Sequence, residues 1–83
     1  MFKINITEYE DKSVTIDKIY LPNGIIIENN SEQFEQTDLN PMKEFINEEF
    51  DMYFNNEFKY KCKLIDVGFF DENIPMFNYD VLS

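Results

Sequence analysis

Two stretches of strict alternation, one near each end of the chain, bind this sequence to a sheet-based fold. Phe2, Ile4 and Ile6 alternate with Lys3, Asn5 and Thr7, and Phe58, Tyr60, Cys62 and Leu64 alternate with Lys59, Lys61 and Lys63. Successive side chains of a strand point to opposite faces, so each pattern buries one face and wets the other. A second strand is expected from about Ser13 to Leu21, after a turn at Glu10-Asp11-Lys12. Its alternation slips near Asp17-Lys18, with Val14 and Ile16 in one phase and Ile19 and Leu21 in the other. A bulge repairs that register, although two buried faces also fit. Pro22-Asn23-Gly24 is the strongest turn signal, and Ile25-Ile26-Ile27 continues as a third strand.

The middle of the chain reads differently. Residues 28–40 are polar and read mostly as a loop, with Ser31 able to cap a short helical turn. Asn40-Pro41 then has the form of a helix start, Asn at the cap and Pro at the first helical position. Helical spacing gathers Met42, Phe45, Ile46, Phe50 and Tyr53 on one side, which predicts an amphipathic helix over 41–56. After the 58–64 strand, Gly68 is expected to bend or bulge the chain near Phe69-Phe70. Asp71-Glu72-Asn73 should turn it, and a last strand should follow over 74–82 with Pro75 at its edge or start. The expected fold is α+β: a small antiparallel sheet in βββ-α-ββ order with one helix packed on one face. Residues 1–83 form a single domain on this reading, because 83 residues cannot build two cores.

The net charge is −10, from 17 Asp plus Glu against 7 Lys. Such a charge is compatible with disorder, but Ile, Leu, Val and Phe together supply 26 of the 83 residues, well above the roughly 20% at which disorder is expected. Ala, Arg, His and Trp are absent while Ile, Asn and Phe abound, a bias toward AT-rich codons. Lys has AT-rich codons too, yet carboxylates outnumber it more than twofold, so codon bias does not set the sign of the charge. Selection for a negative surface, or against a positive one, is the better account.

That negative charge is uneven. Residues 28–57 hold nine carboxylates and only Lys43 against them, whereas 1–27 and 58–83 are each within one charge of neutral. The candidate partner-binding residues are therefore Glu28, Glu32, Glu35, Asp38, Glu44, Glu48, Glu49 and Asp51, with Glu57 at the end of the run. On the expected helix Glu44, Glu48 and Asp51 follow i, i+4, i+7 spacing opposite the apolar stripe. A four-residue helical rise of roughly 6 Å is close to two phosphate steps of about 3.4 Å along a DNA strand. A row of this kind suits a basic groove evolved for phosphates. The bland alternative is a solvated face, although solubility asks for mixed signs and not one. Glu49 falls inside the helical apolar stripe and is expected to pair with a Lys of the sheet or sit where the stripe reaches solvent, then to contact the partner, and last to act as a carboxylate catalyst. Lys59, Lys61 and Lys63 are expected to pair with carboxylates across the sheet rather than to bind nucleic acid. Phe69 and Phe70 read as core.

Catalytic groupings are scarce. With no His and no Arg, the common general base and phosphate clamp are missing. Cys62 is the single cysteine, which leaves no intrachain disulfide and no metal-type Cys/His spacing. Asp66 and Asp71-Glu72-Asn73 do not match a calcium loop. No cofactor and no metal are expected, and catalysis is disfavoured. The start lacks the apolar core of a signal peptide, and no apolar run approaches the ~18 residues that span a bilayer. A cytoplasmic location is expected, with an anionic surface that avoids anionic membranes and free nucleic acid.

In size, charge and want of catalytic groups, the chain resembles the small acidic inhibitors encoded by phages and mobile elements, the anti-CRISPR proteins and uracil-DNA glycosylase inhibitors among them. The residues behind the resemblance are the acidic run from Glu28 to Glu57 on a βββ-α-ββ scaffold. It implies a stoichiometric blocker whose acidic loop and helix mimic DNA or RNA phosphates. Its partner would be a basic protein surface, the nucleic-acid groove of a host nuclease or repair enzyme. An immunity protein or antitoxin that neutralises a basic nuclease toxin works by the same physics. A phage structural or assembly subunit, with the aromatic sheet face as its interface, is the alternative from another class.

Overall fold

A computed structural model describes residues 1–28, 39–71 and 74–83, with side chains described over 1–28, 39–68 and 77–83. Six strands form one mixed sheet: β1 Lys3–Glu8, β2 Val14–Tyr20, β3 Ile26–Glu28, β4 Glu49–Phe54, β5 Glu57–Asp71 and β6 Ile74–Val81. Their spatial order is β3-β2-β1-β4-β5-β6. Every neighbouring pair is antiparallel except the central one, in which β1 and β4 run parallel.

The expected helix over 41–56 is not formed, and the α+β class fails with it. The described residues contain no helix of seven or more residues, only a 3-10 segment at Asn40–Phe45. Pro41 lies in its first turn, where its fixed φ is suited, but Leu39 and not Asn40 is the N-cap, and no side chain caps the segment. The chain leaves helical space at Ile46, whose ψ is 135°, turns through Asn47 with φ 77°, and continues as β4. The helical spacing of Phe50 and Tyr53 conceals a period of two. Phe50 and Met52 are fully buried and Phe54 partly so, while Glu49, Asp51 and Tyr53 point away from them. Aromatic residues, Asn and Asp are poor helix formers, and this stretch has no Ala to offset them. A strand here is also hydrogen-bonded on both sides, to β1 and to β5, so no edge is left open in the middle of the sheet. The link to β5 is a two-residue turn at Asn55-Asn56 with φ values of 51° and 69°. Two successive positive values are the pattern that makes the strands' twist match in a tight hairpin.

The remaining strands follow the sequence more closely. In the β1–β2 ladder Asn5 faces Lys18 but Ile6 faces Ile16, so Asp17 is the inserted residue of a bulge. That bulge brings Ile16 and Ile19 onto the same face, as the slipped alternation requires. The β5–β6 ladder slips twice, between Leu64 and Asp66 and again between Phe69 and Asp71, just past Gly68, and β6 is an edge strand that begins one residue before Pro75. The turn expected at Asp71-Glu72-Asn73 and the loop at 29–38, Ser31 included, fall outside the described residues, as do the side chains of Phe69 and Phe70.

Two hairpin loops share one design. Leu21 N–H donates to Ile25 C=O and Gly24 N–H to Leu21 C=O; Tyr9 N–H donates to Ser13 C=O and Lys12 N–H to Tyr9 C=O. Each is a three-residue loop whose last residue has positive φ, 91° at Gly24 and 71° at Lys12. Gly24 adopts that conformation freely, whereas a side chain at Lys12 costs on the order of 1 kcal/mol. Asp11 offsets part of that cost by accepting hydrogen bonds from the Ser13 N–H and hydroxyl, which hold its carboxyl below the usual range.

The core lies on one face of the sheet. Ile4, Ile19, Phe50, Met52, Cys62 and Leu64 are fully buried there. Residues 39–46 close over it, with Leu39 and Met42 buried and Phe45 and Ile46 packed against the cluster. Phe50 sits at the centre, its ring 5.2 Å from Phe2 and 6.2 Å from Phe77. A side chain of that size contributes about 1.5–3 kcal/mol by leaving water.

Candidate binding surfaces

The opposite face of the sheet is open, and its registers set out a lattice of charges and aromatic rings. In one row across the strands, Tyr20 of β2 faces Lys3 of β1, Lys3 faces Asp51 of β4, and Asp51 faces Lys61 of β5. The Lys61 ammonium lies 3.1 Å from the Asp51 carboxylate. The Lys3 ammonium sits 4.9 Å from the centre of the Tyr20 ring and 5.0 Å from that of Tyr53, within cation–π range of both. On one flank Lys18 faces Glu28 at 3.1 Å, Asn5 faces Tyr53, and Tyr53 meets Phe58 edge to face at 5.9 Å. On the other, Glu49, Lys63 and Asp80 stand in line.

These placements decide the fate of each expected site residue. Glu28 is bound to Lys18, and the hydrogen bond and charge of Glu28 raise the Lys18 pKa. Asp51 is bound to Lys61 and so leaves the row it was expected to share with Glu44 and Glu48. Glu49 is not in an apolar stripe. As a strand residue it turns away from the core, is exposed, and stands opposite Lys63. Glu44 and Glu48 are exposed, one in the 3-10 segment and one just before β4. Glu57 is exposed beside the Asn55-Asn56 turn. Glu32, Glu35 and Asp38 lie outside the described residues. The evenly spaced helical row Glu44–Glu48–Asp51 therefore does not exist, and its phosphate-like spacing goes with it.

Lys61 and Lys63 do pair or align with carboxylates across the sheet. Lys59 leaves their ladder, because an irregularity between Met52 and Tyr53 makes it the inserted residue of β5. The same irregularity moves Phe58 onto the open face, where it is 55% exposed. Sequence reading missed this aromatic-ionic surface. The Lys3–Tyr20 neighbourhood was accessible from the hairpin register, but Tyr53 and Asp51 come beside Lys3 only through the parallel pairing of β1 with β4.

Lys3, Lys18, Lys61 and Lys63 are matched one for one by Glu28, Glu49, Asp51 and Asp80. Those eight residues cancel, so the other thirteen carboxylates and three lysines carry the whole −10. The open face is close to neutral at its centre, with Asp17, bonded to Thr7, toward its margin.

Burial pushes the Cys62 thiol pKa up, and the charge of Asp51 adds to the rise, so the thiol stays protonated. A buried protonated thiol is a poor nucleophile. Among the described residues no group of three or more His, Cys, Asp or Glu is placed to hold a metal ion. No helix among them is long and apolar enough to cross a membrane. The sequence matches no protein-family model, and neither the curated proteins nor the solved structures searched include a match to this chain.

Proposed function

We propose that the protein is a non-catalytic, cytoplasmic binding protein of the phage-inhibitor kind, acting on a host enzyme that handles nucleic acid. It blocks that enzyme by presenting its uncompensated carboxylates to the basic surface on which nucleic acid would lie. The observation that supports this reading most is the segregation of charge. The matched rows of the open face set four lysines against four carboxylates, so the net −10 is carried by residues outside those rows. Glu44 and Glu48 belong to that remainder, exposed on the segment that covers the core, with only Lys43 nearby in sequence. A field of one sign speeds encounter with a basic partner and releases that partner's counterions, as nucleic acid does.

Affinity capture from a host lysate across a salt series tests the proposal. A bound nuclease or repair enzyme should elute as salt rises and should lose its affinity for DNA or RNA while bound. Glu44→Gln with Glu48→Gln should weaken capture about tenfold or more at low salt, in line with several lost charge contacts. Capture that is indifferent both to salt and to these changes would remove the electrostatic model.

A further inference from the structure

We infer that the open face is the interface of a homodimer, two copies stacking these sheets face to face about a two-fold axis along the strands between β1 and β4. This inference does not rest on the proposed function, and it concerns the opposite side of the sheet from Glu44. Strand order and register locate each side chain on the face. A two-fold axis at the β1/β4 boundary exchanges β1 with β4 and β2 with β5. Lys3 then falls over Asp51 of the second copy, and Tyr20 falls over its Lys61. One row along, Lys18 falls over Phe58 of the second copy. Opposite charges meet at the centre, and cations meet ring faces beside them.

A two-fold contact must be complementary to itself, and most placements of the axis are not. An axis through β1 would set Lys3 on Lys3, and one through β4 would set Asp51 on Asp51. An axis between β4 and β5 matches charges but leaves β2 and β3 with no counterpart. The central axis is the one that combines charge matching with overlap of all six strands.

Aligned sheets stack about 10 Å apart. Six strands about 4.8 Å apart and some six residues long give roughly 1,200 Å² over the two copies, the lower end of specific interfaces. A dimer of micromolar strength is therefore expected. Charge favours this face for self-association, because its central rows set lysines against carboxylates, whereas Glu44 and Glu48 on the segment over the core are exposed with only Lys43 near them in sequence. Two copies at −10 each still repel at long range, so added salt should strengthen the dimer, the reverse of its effect on a basic partner.

Sedimentation equilibrium from micromolar to millimolar protein, in low and high salt, tests the inference, with folding of each variant checked by circular dichroism. Wild type should show a monomer–dimer equilibrium that shifts toward dimer as salt rises. Phe58→Ser, at an exposed position outside the core, should weaken it about tenfold. Lys3→Asp and Asp51→Lys should each abolish self-association, since each sets like charges together, and mixing the two should restore a one-to-one dimer. Such rescue between separate molecules cannot come from a folding effect. Should Asp51→Lys not fold, Lys3→Asp and Phe58→Ser decide alone. A monomer at every concentration and salt would overturn the inference, as would a dimer that Lys3→Asp and Phe58→Ser leave unchanged.

Discussion

The two sides of β4 carry residues of similar size and opposite circumstance. Phe50 and Met52 face residues 39–46 and are sealed from water, while Asp51 and Tyr53, one position along, face solvent and neighbouring strands. On the sealed side energy comes from apolar area. On the open side it comes from cross-strand pairs, each worth roughly 0.2–1 kcal/mol. The comparison shows why a segment holding most of the acidic residues does not form one acidic surface. A strand divides its residues between two faces, and on the open face Asp51 is bound to Lys61 while Glu49 stands opposite Lys63 in register. Glu44 and Glu48, ahead of the strand, and Glu57 beyond it have no lysine opposite them among the described residues.

The largest expected effect separates the two sides of β4 directly. Phe50→Ala should cost about 3–5 kcal/mol by emptying the centre of the core, whereas Tyr53→Ala should cost about 1 kcal/mol or less. Urea unfolding of the two variants gives both values. On an amphipathic helix the two residues would share one buried stripe and the two costs would be alike, so equal losses would refute the strand.

Raising pH should probe the sealed side without a mutation. Cys62 and Tyr79 are raised above their ordinary values of 9.0 and 10.0 by desolvation first, with nearby ionisable groups adding to it. The folded state therefore keeps protons that the unfolded chain releases. Stability is whole below pH 9 and falls as pH rises through that window. Lys18, raised above 10.5 by Glu28, loses its contribution higher still, as its folded pKa is passed. The urea midpoint should be flat across neutral pH and decline above 9, and Cys62→Ala should remove the first part of the decline. A decline of equal size in that variant would mean that the buried thiol has no part in it.

How much of this was readable in the sequence depends on the range of the interaction. The bulge at Asp17 and the Pro22-Asn23-Gly24 loop are written in a few adjacent residues, and both stand in the structure. The pairing of Lys61 follows from its alternation with Cys62 and Leu64. The error at 41–56 arose where two periods fit the same apolar residues. Met42, Phe45, Ile46, Phe50 and Tyr53 satisfy a helix, and Phe50, Met52 and Phe54 satisfy a strand. Local propensity alone does not separate them, because the decisive term is the parallel ladder to β1, 48 residues earlier in every registered pair. The candidate site suffered with it. The carboxylate row was a property of the helix, and the Lys3–Tyr20–Tyr53 cluster is a property of the ladder.

The smallest effect sharpens the charge comparison most. Asp51→Asn removes the carboxylate that binds Lys61 and stands beside Lys3, while Glu48→Gln removes one from a surface of like charges. Their loss of charge is identical, so any long-range relief of the −10 field is common to both. The difference between the two variants then isolates the local lattice. Asp51→Asn should lose up to about 1 kcal/mol, the scale of a partly exposed ion pair. Glu48→Gln should stay within about 0.5 kcal/mol of wild type, as surface changes do. Added salt should narrow the gap by screening the lattice pair. Paired urea titrations at low and high salt measure it, and equal stabilities at low salt would mean that the open-face lattice carries no energy and is only an arrangement.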